Sequence, residues 1–286
     1  MDRYDIAIIG SGPAGLEAAI NAKIRNKKTI VFGNDNLSKS LVLAPKINNY
    51  LGFFGLPGTE LKNKFKEHID KMDIAINAEK VNNIYAMGEY FSIMTSKENY
   101  EAKTVILALG MEHTKPVKGE DILLGRGVGY CATCDAPLYK EKIVAIIGYN
   151  KEAESEANYV SEIASKVYYV PMYKDEYQLN SNIELVKDSP VEIIGQNKVE
   201  KLILRSTEIA TDGVFVLKDS APPEQLVPGL EMEDKHIKVN RKMETNIQGC
   251  YAAGDCTGRP YQYMKAAGEG QVAALNAVEY LNQNRE

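Results

Sequence analysis

One turn limits what this chain can fold into. Tyr4 to Ile9 is a short Ile-rich run that reads as a buried strand. Gly10-Ser11-Gly12-Pro13-Ala14-Gly15 follows it directly, and Leu16 to Arg25 reads as a helix. Three glycines spaced G-x-G-x-x-G between a strand and a helix predict a dinucleotide-binding turn. Gly10 permits the tight turn, and Gly12 lets backbone approach a pyrophosphate. Gly15 lets the helix lie close on the strand, with its N-terminus facing the phosphates. The next strand, Thr29 to Phe32, ends at Gly33-Asn34 instead of the acid that often binds a ribose there. A strand feeding a helix and then a parallel strand commits this part of the chain to an α/β layer structure.

The same frame recurs without its chemistry. Lys142 to Ile147 is an apolar strand, followed by Gly148-Tyr149-Asn150-Lys151-Glu152-Ala153, a helical run to Ala164, and a strand from Lys166 to Val170. Tyr149 and Asn150 stand where small residues would admit a pyrophosphate. Glu152, Glu154 and Glu156 crowd the helix start, where carboxylates occupy the favourable dipole field and repel phosphate. Residues 171–177 contain no arginine, the group that an NADPH 2′-phosphate normally requires. This second frame is therefore expected to have lost its nicotinamide nucleotide.

Between the two frames lies Gly129-Tyr130-Cys131-Ala132-Thr133-Cys134-Asp135-Ala136-Pro137. Two thiols three residues apart can close a small disulfide ring and reopen it, so exchange with a partner disulfide resolves within one site. Asp135 directly follows the second sulfur. The three histidines, His68, His113 and His236, are remote from the pair in sequence.

The 286 residues suffice for about two domains of ~150 residues each. A net charge of −5 gives no case for nucleic acid. No apolar run approaches the roughly 18 residues of a membrane span, and the first residues lack a signal-peptide layout, so a cytoplasmic protein is expected. Four cysteines in such a chain point to redox or metal chemistry. A zinc site built from Cys131, Cys134, Cys250 and Cys256 is disfavoured, because the second pair has poor knuckle spacing and Cys250 falls on an apolar strand.

Other elements follow from periodicity. Asn48 to Gly52 is a turn-rich loop. Thr59 to Met72 places Leu61, Phe65, Ile69 and Met72 on one helical face. Ile74 to Ile84, Tyr90 to Thr95 and Thr104 to Leu109 read as strands, the last ending at Gly110. Ile183 to Ile194, Lys198 to Arg205 and Val214 to Leu217 are further strands. Crossovers between domains are expected at Lys115-Pro116 with Gly125 to Gly129, and again at Ser220 to Pro223. Gly249 to Asp255 is an apolar strand ending in Gly-Asp, and Tyr261 to Leu281 becomes an Ala-rich helix. Asp255 is placed to bond a ribose or ribityl hydroxyl, and the helix start near Tyr263 to Lys265 to face a flavin pyrimidine.

Gly10 to Gly15, Cys131-Ala132-Thr133-Cys134-Asp135 and Ala252-Ala253-Gly254-Asp255 together resemble low-molecular-weight thioredoxin reductases nearly end to end. The resemblance implies the fold of the pyridine nucleotide-disulfide oxidoreductases, with two Rossmann-like three-layer α/β domains. Residues 1–115 and 222–286 would form a discontinuous FAD domain, and 116–221 a central NADPH-like domain carrying the dithiol. Glycine-poor residues 148–153 replace the family's NADPH loop, and Pro171, Met172, Tyr173 and Tyr177 replace its arginine clamp. The chain also passes quickly from Tyr177 to Asn182. These departures resemble the ferredoxin-dependent flavin thioredoxin reductases of clostridia-type anaerobes.

That likeness implies FAD as cofactor without NADPH, ferredoxin and thioredoxin as partners, and a homodimer. It also implies that Cys134 meets the flavin, Cys131 attacks thioredoxin, and Asp135 moves the proton. Implied FAD contacts are Gly10, Ser11, Gly12, Pro13, Ala14, Gly15, Gly33, Asn49, Val81, Ala108, Gly110, Asp255, Tyr263 and Met264. The family's Arg-Gln-Ala before the last helix is Gln262-Tyr263-Met264 here, so only backbone contacts carry over at that point. Candidate ferredoxin-docking lysines are Lys23 to Lys28 and Lys62 to Lys71. Competing readings are an NADPH-dependent reductase with a divergent site, an FAD-dependent dithiol oxidase using oxygen, and a non-enzymatic flavoprotein.

Overall fold

The computed structural model describes residues 3–34, 37, 39–95, 97–111, 116–218 and 222–284. The expected crossover residues Lys115 and Ser220, and His113, lie outside the described residues. The chain divides into two compact units, one built from Met1–Glu112 and Pro222–Glu286 and the other from His113–Ala221.

In chain order, the first unit begins with β1 (Tyr4–Ile9), α1 (Pro13–Ile24), β2 (Thr29–Phe32), α2 (Lys39–Leu43) and α3 (Gly58–Lys71). It continues through β3 (Ile76–Asn77), β4 (Val81–Ala86), β5 (Phe91–Thr95) and β6 (Asn99–Leu107). The second unit holds β7 (Val128–Gly129), α4 (Ala132–Asp135), β8 (Ile143–Gly148), α5 (Ala153–Ser161) and β9 (Lys166–Pro171). Then come β10 (Ile183–Leu185), β11 (Pro190–Ile194), β12 (Lys201–Leu204), β13 (Glu208–Ala210) and β14 (Gly213–Leu217). The chain returns to the first unit with α6 (Pro223–Leu226), β15 (Met232–Glu233), β16 (His236–Ile237), β17 (Cys250–Ala252) and α7 (Tyr263–Gln283).

The first unit has a seven-stranded sheet ordered β3-β2-β1-β6-β5-β4, with β17 also on β6. The pairs β1–β2, β1–β6, β2–β3 and β6–β17 are parallel, whereas β4, β5 and β6 form an antiparallel meander. Strand β6 changes partner along its length. Residues from Asn99 to Ala102 pair with β5, and Val105 to Leu107 pair with β17. This explains why β6 starts earlier than Thr104, where its apolar run begins: the early residues form a meander with one face wet. The expected strand Ile74 to Ile84 is instead two pieces, because residues 78–80 leave one edge of the sheet before β4 joins the other.

Helices α1 and α7 pack on one face of this sheet through small residues: Ala14, Ala18 and Ala22 on one, Ala266, Gly270, Ala273, Ala274 and Ala277 on the other. The approach is close enough that a Cβ on Gly270 would stand 2.0 Å from the Ala14 carbonyl oxygen. On α3, Leu61 and Ile69 are buried and Phe65 and Met72 half-buried, as the helical spacing predicts.

The second unit has an all-parallel sheet, β10-β9-β8-β14-β7, and a three-stranded antiparallel sheet, β11-β12-β13. Strands β8 and β14 are continuous apolar runs, as a parallel sheet covered on both faces requires. The expected strand Ile183 to Ile194 divides into β10 and β11, which belong to different sheets.

Candidate active site

Cys131 and Cys134 form a disulfide with their Cα atoms 5.4 Å apart. Cys131 is the N-cap of the one-turn helix α4, and the Cys134 amide donates to its sulfur at 3.3 Å. Cys134 is exposed, while Cys131 is half-buried. Glu156, on α5, accepts the Ala132 amide at 2.9 Å and fixes the dithiol turn to the longer helix. An amide aimed at Cys131 Sγ stabilises sulfur when it carries charge, the state in which a thiol attacks.

Asp135 lies behind the pair. Its Oδ2 stands 3.1 Å from where a Gly129 Cβ would be, and the Phe215 ring edge lies 2.9 Å from that same point. Any larger residue at 129 would displace both groups. Burial pushes the Asp135 carboxyl above its ordinary range, which lets it hold a proton at higher pH than an exposed acid. Tyr139 packs edge-on against Phe215, with ring centroids 5.2 Å apart.

A buried charge pair adjoins this region. Lys218 and Glu120 meet at 2.9 Å with side chains only 7 % and 2 % exposed, and the Tyr130 hydroxyl donates to the same Glu120 oxygen at 2.7 Å. The other Glu120 oxygen accepts the Val117 amide. Tyr130, the residue before Cys131, is thus tied to both ends of this unit's described chain. Nothing in the local sequence signals the charge pair, because Lys218 lies 98 residues from Glu120.

The dinucleotide turn in the first unit is fully formed. Gly10 has φ +119°, and a Cβ there would overlap the Ala108 carbonyl at 2.1 Å. A Cβ on Gly15 would stand 1.8 Å from the Gly10 oxygen, whereas one on Gly12 would meet nothing within 4 Å. Gly12 is the N-cap of α1, Pro13 occupies its first turn, and no acid does. A helix N-terminus with free amides, open space before it and no competing carboxylate fits a pyrophosphate.

The other expected contacts distribute as follows. Ala14 packs beside Gly254, the residue before Asp255. Buried Ser11 accepts the Asn34 amide at 3.0 Å and lies against Gly33, so the end of β2 is hooked to the turn. The Ala108 amide donates to Ile9, and Gly110 has φ +70° with open space beside it. Val81 is buried on the opposite face of the sheet from Ala108, in a cluster with Ile9 and Phe32. Asn49 donates to Gln262 at 2.6 Å, next to Tyr263 and Met264 at the start of α7.

Sequence reasoning missed a clamp over this region. Lys265 donates to the carbonyls of Gly254 at 3.0 Å and Gly258 at 2.7 Å, and pairs with Glu269 at 3.0 Å. Glu269 in turn accepts the Gly254 amide and the Thr257 hydroxyl, each at 2.9 Å. Two side chains of α7 thereby hold the loop carrying Asp255 in register with the helix start. Their i,i+4 spacing was the available signal.

The turn of the second frame is filled by the chain's own side chains. A Cβ on Gly148 would stand 2.2 Å from the Tyr169 hydroxyl oxygen, so the phenol already fills the space over the turn. Tyr169 hydroxyl lies 3.1 Å from that of Tyr173, and the Tyr173 hydroxyl donates to Glu154 in the first turn of α5. The other Glu154 oxygen accepts the Gln178 amide at 2.7 Å. Burial pushes Tyr169 up to about 12 and raises Tyr173 further, so both phenols stay protonated donors. The Ala153 amide goes to Asn150 Oδ1. The amides and space that would receive phosphate are taken by the chain's own groups.

Cys250 and Cys256 are buried thiols, pushed up to about 12 and about 11 by burial. Among the described residues, no group of three or more His, Cys, Asp or Glu side chains is arranged to hold a metal ion, and no helix is long and apolar enough to cross a membrane.

Comparison with known proteins agrees with this geometry. A family model described as pyridine nucleotide-disulphide oxidoreductase matches residues 4–270. A crystal structure of a ferredoxin-flavin thioredoxin reductase from Clostridium acetobutylicum is 78 % identical, covers 99 % of both chains and superposes with a TM-score of 0.97. A second structure from the same organism, with the same description, is 62 % identical with a TM-score of 0.87, again over 99 % of each chain. The thioredoxin reductase of Bacillus subtilis is 30 % identical over 306 residues, spanning 99 % of this chain and 96 % of its own.

Proposed function

We propose, for a chain that belongs to the pyridine nucleotide-disulphide oxidoreductase family, the reduction of thioredoxin with electrons from reduced ferredoxin, carried by FAD to the Cys131–Cys134 disulfide. The observation that carries this reading is the pairing of a disulfide-forming Cys131–Cys134 turn with a second strand-turn-helix frame filled by Tyr169, Tyr173 and Glu154. A family member that keeps its dithiol and blocks its nicotinamide site needs another electron source. The two Clostridium acetobutylicum structures, described as ferredoxin-flavin thioredoxin reductases, support ferredoxin as that source.

Residues 10–15 would hold the FAD pyrophosphate, with Gly33, Asn49, Val81, Ala108, Gly110, Asp255, Tyr263 and Met264 lining the rest. FAD when bound supplies a two-electron store that can be filled one electron at a time, matching a one-electron donor to a two-electron disulfide. The chain's own steps are thiol exchange. Two electrons open the Cys131–Cys134 bond. The Cys131 thiolate then attacks one sulfur of the thioredoxin disulfide and expels the other as a thiolate. Cys134 next attacks Cys131 Sγ, which re-forms the internal disulfide and releases reduced thioredoxin. Asp135, held protonated upward in pH by its burial, delivers and recovers a proton at the sulfurs. The working form would be a cytoplasmic homodimer, as in the low-molecular-weight reductases.

The test is anaerobic flavin bleaching, with thioredoxin as acceptor. Reduced ferredoxin is expected to bleach the flavin and generate thioredoxin thiols, while NADPH and NADH leave it oxidised. Fast bleaching by NADPH would mean that the 148–153 turn still binds nucleotide. Bleaching by neither donor, with hydrogen peroxide release on adding a dithiol in air, would make the protein a dithiol oxidase. Sedimentation of the FAD-loaded protein tests the dimer.

A further inference from the structure

The chain from Leu41 to Lys66 forms an exposed corner of the first unit. Ile47 and Leu56 bridge as an antiparallel pair, and the tip turns at Tyr50-Leu51-Gly52-Phe53. Gly52 has φ +90°, which the third position of such a turn demands of glycine. The underside of this hairpin is anchored by Leu41, Ile47, Leu61, Phe65 and Tyr263. Its outside is apolar and wet: Leu43, Leu51 and Phe54 are 79 %, 82 % and 81 % exposed. Leu51 and Phe54 lie on the hairpin and Leu43 ends the helix before it, and exposed apolar side chains of this size grouped in one short segment mark a contact surface.

The charge around this corner departs from the rest of the chain. Residues 41–66 carry four lysines and one acid, in a protein of net charge −5. Lys66 turns to Asp70. Lys46 runs beside Gly55 at the hairpin base, and the Lys64 ammonium lies 5.8 Å from the Phe53 ring centroid. An apolar centre with a basic rim fits a small acidic protein.

Position relative to the cofactor turn separates this corner from the other lysine-rich site. The cleft lined by Tyr4, Lys23, Lys27, Lys28 and Thr29 lies at the start of β1. The dinucleotide turn is at the opposite end of that strand, roughly 20 Å away at ~3.3 Å per residue. Within that cleft, Lys27 is already bonded to Asn282 and Lys23 to the Asp73 carbonyl. The hairpin corner is instead tied to the start of α7 through Asn49–Gln262 and the packing of Tyr263.

We infer that the Leu43–Leu51–Phe54 corner, rimmed by Lys46 and Lys64, is the docking surface for the acidic one-electron carrier, and that the Lys23–Lys28 cleft is not. The inference rests on the ferredoxin reading and names where that partner binds. Each encounter passes one electron from the reduced carrier to bound FAD. Two encounters supply the pair that, with two protons from solvent, converts the disulfide to a dithiol.

Stopped-flow reduction of the FAD-loaded protein by reduced ferredoxin tests this across ionic strength. Steered association gains 10- to 10³-fold from complementary charge, so K46E/K64E is expected to lower the second-order rate constant by about tenfold or more at low salt and to flatten its salt dependence. L51S/F54S should slow reduction at every salt concentration. K23E/K28E should match the wild type, and dithionite should bleach all four proteins alike. Equal rates in the hairpin variants and the wild type, or slowing only in K23E/K28E, would overturn the assignment. So would hairpin variants that turn a dimer into monomers while ferredoxin reduces them at the wild-type rate, because the face would then join two copies of this chain. A wild-type protein that ferredoxin fails to bleach would overturn the electron-donor reading itself, a failure visible before any variant is compared.

Discussion

Glu154 and Tyr173 are locked together at the start of α5: the phenol donates to one carboxylate oxygen, and the Gln178 amide takes the other at 2.7 Å. The carboxylate is buried and sits in the first helical turn, where a bound phosphate would otherwise find positive potential. Y173F removes the donor and leaves a buried acceptor short of a partner, at a cost of about 1–3 kcal/mol. The expected result is a lower thermal midpoint without any gain of NADPH binding, because Tyr169 still covers Gly148. Equilibrium titration with NADPH, followed by flavin absorbance, checks the second half. Saturable binding to Y173F would show that this one phenol was the barrier.

The Lys265–Glu269 clamp predicts a cofactor-affinity phenotype. K265M removes the ammonium that bonds the Gly254 and Gly258 carbonyls and leaves Glu269 with uncompensated charge. The pair is about one-fifth exposed, so a loss of about 1–2 kcal/mol is expected, or roughly 5- to 30-fold in the dissociation constant of FAD. E269Q keeps an acceptor for the Gly254 amide and should lose less. Calorimetric titration of apoprotein with FAD measures both. Unchanged affinity in K265M would mean that the loop holds its shape without the clamp.

Asp135 predicts a pH dependence with a defined sign. Its carboxyl is raised by burial, so the folded protein binds more protons than the unfolded chain from the ordinary carboxylate range up to the raised value. Its contribution to stability is therefore lost as pH rises through that window. D135N removes the buried charge and should hold or raise the thermal midpoint at neutral pH. In the proposed mechanism it also removes the proton carrier, and thioredoxin reduction should fall by about 10²-fold or more. The fall in rate as pH rises through that same window should vanish with it. A D135N enzyme with the wild-type pH profile would assign proton transfer to another group.

The four cysteines should separate by reactivity. Cys250 and Cys256, pushed up to about 12 and about 11, carry almost no thiolate at pH 8. After mild reduction, iodoacetamide should therefore label only Cys131 and Cys134 in the native protein, and all four in denaturant, as read by intact mass. C134S should trap a mixed disulfide between Cys131 and thioredoxin, and C131S should not. The reverse outcome would exchange the roles of the two sulfurs.

Much of this protein was determined by short-range pattern. The strand-turn-helix frames, the glycines at 10, 12 and 15, the dithiol and the glycine-poor, acid-rich run at 148–156 are local, since each depends on residues within a few positions of one another. Strand limits for β1 and β2 were legible for the same reason: a buried parallel strand is one unbroken apolar run. Tertiary structure decided the features that join distant residues. The division of Ile74 to Ile84 into β3 and β4 depends on two different sheet edges, and the two-sided pairing of β6 depends on β5 and β17 together. Which groups fill the second strand-turn-helix frame was likewise a matter of packing, because the Tyr169 and Tyr173 phenols reach Gly148 and Glu154 only after β9 lies beside β8. The Glu120–Lys218 pair follows the same rule: a buried charge needs its partner in space, and the sequence alone does not say which of its lysines will be there.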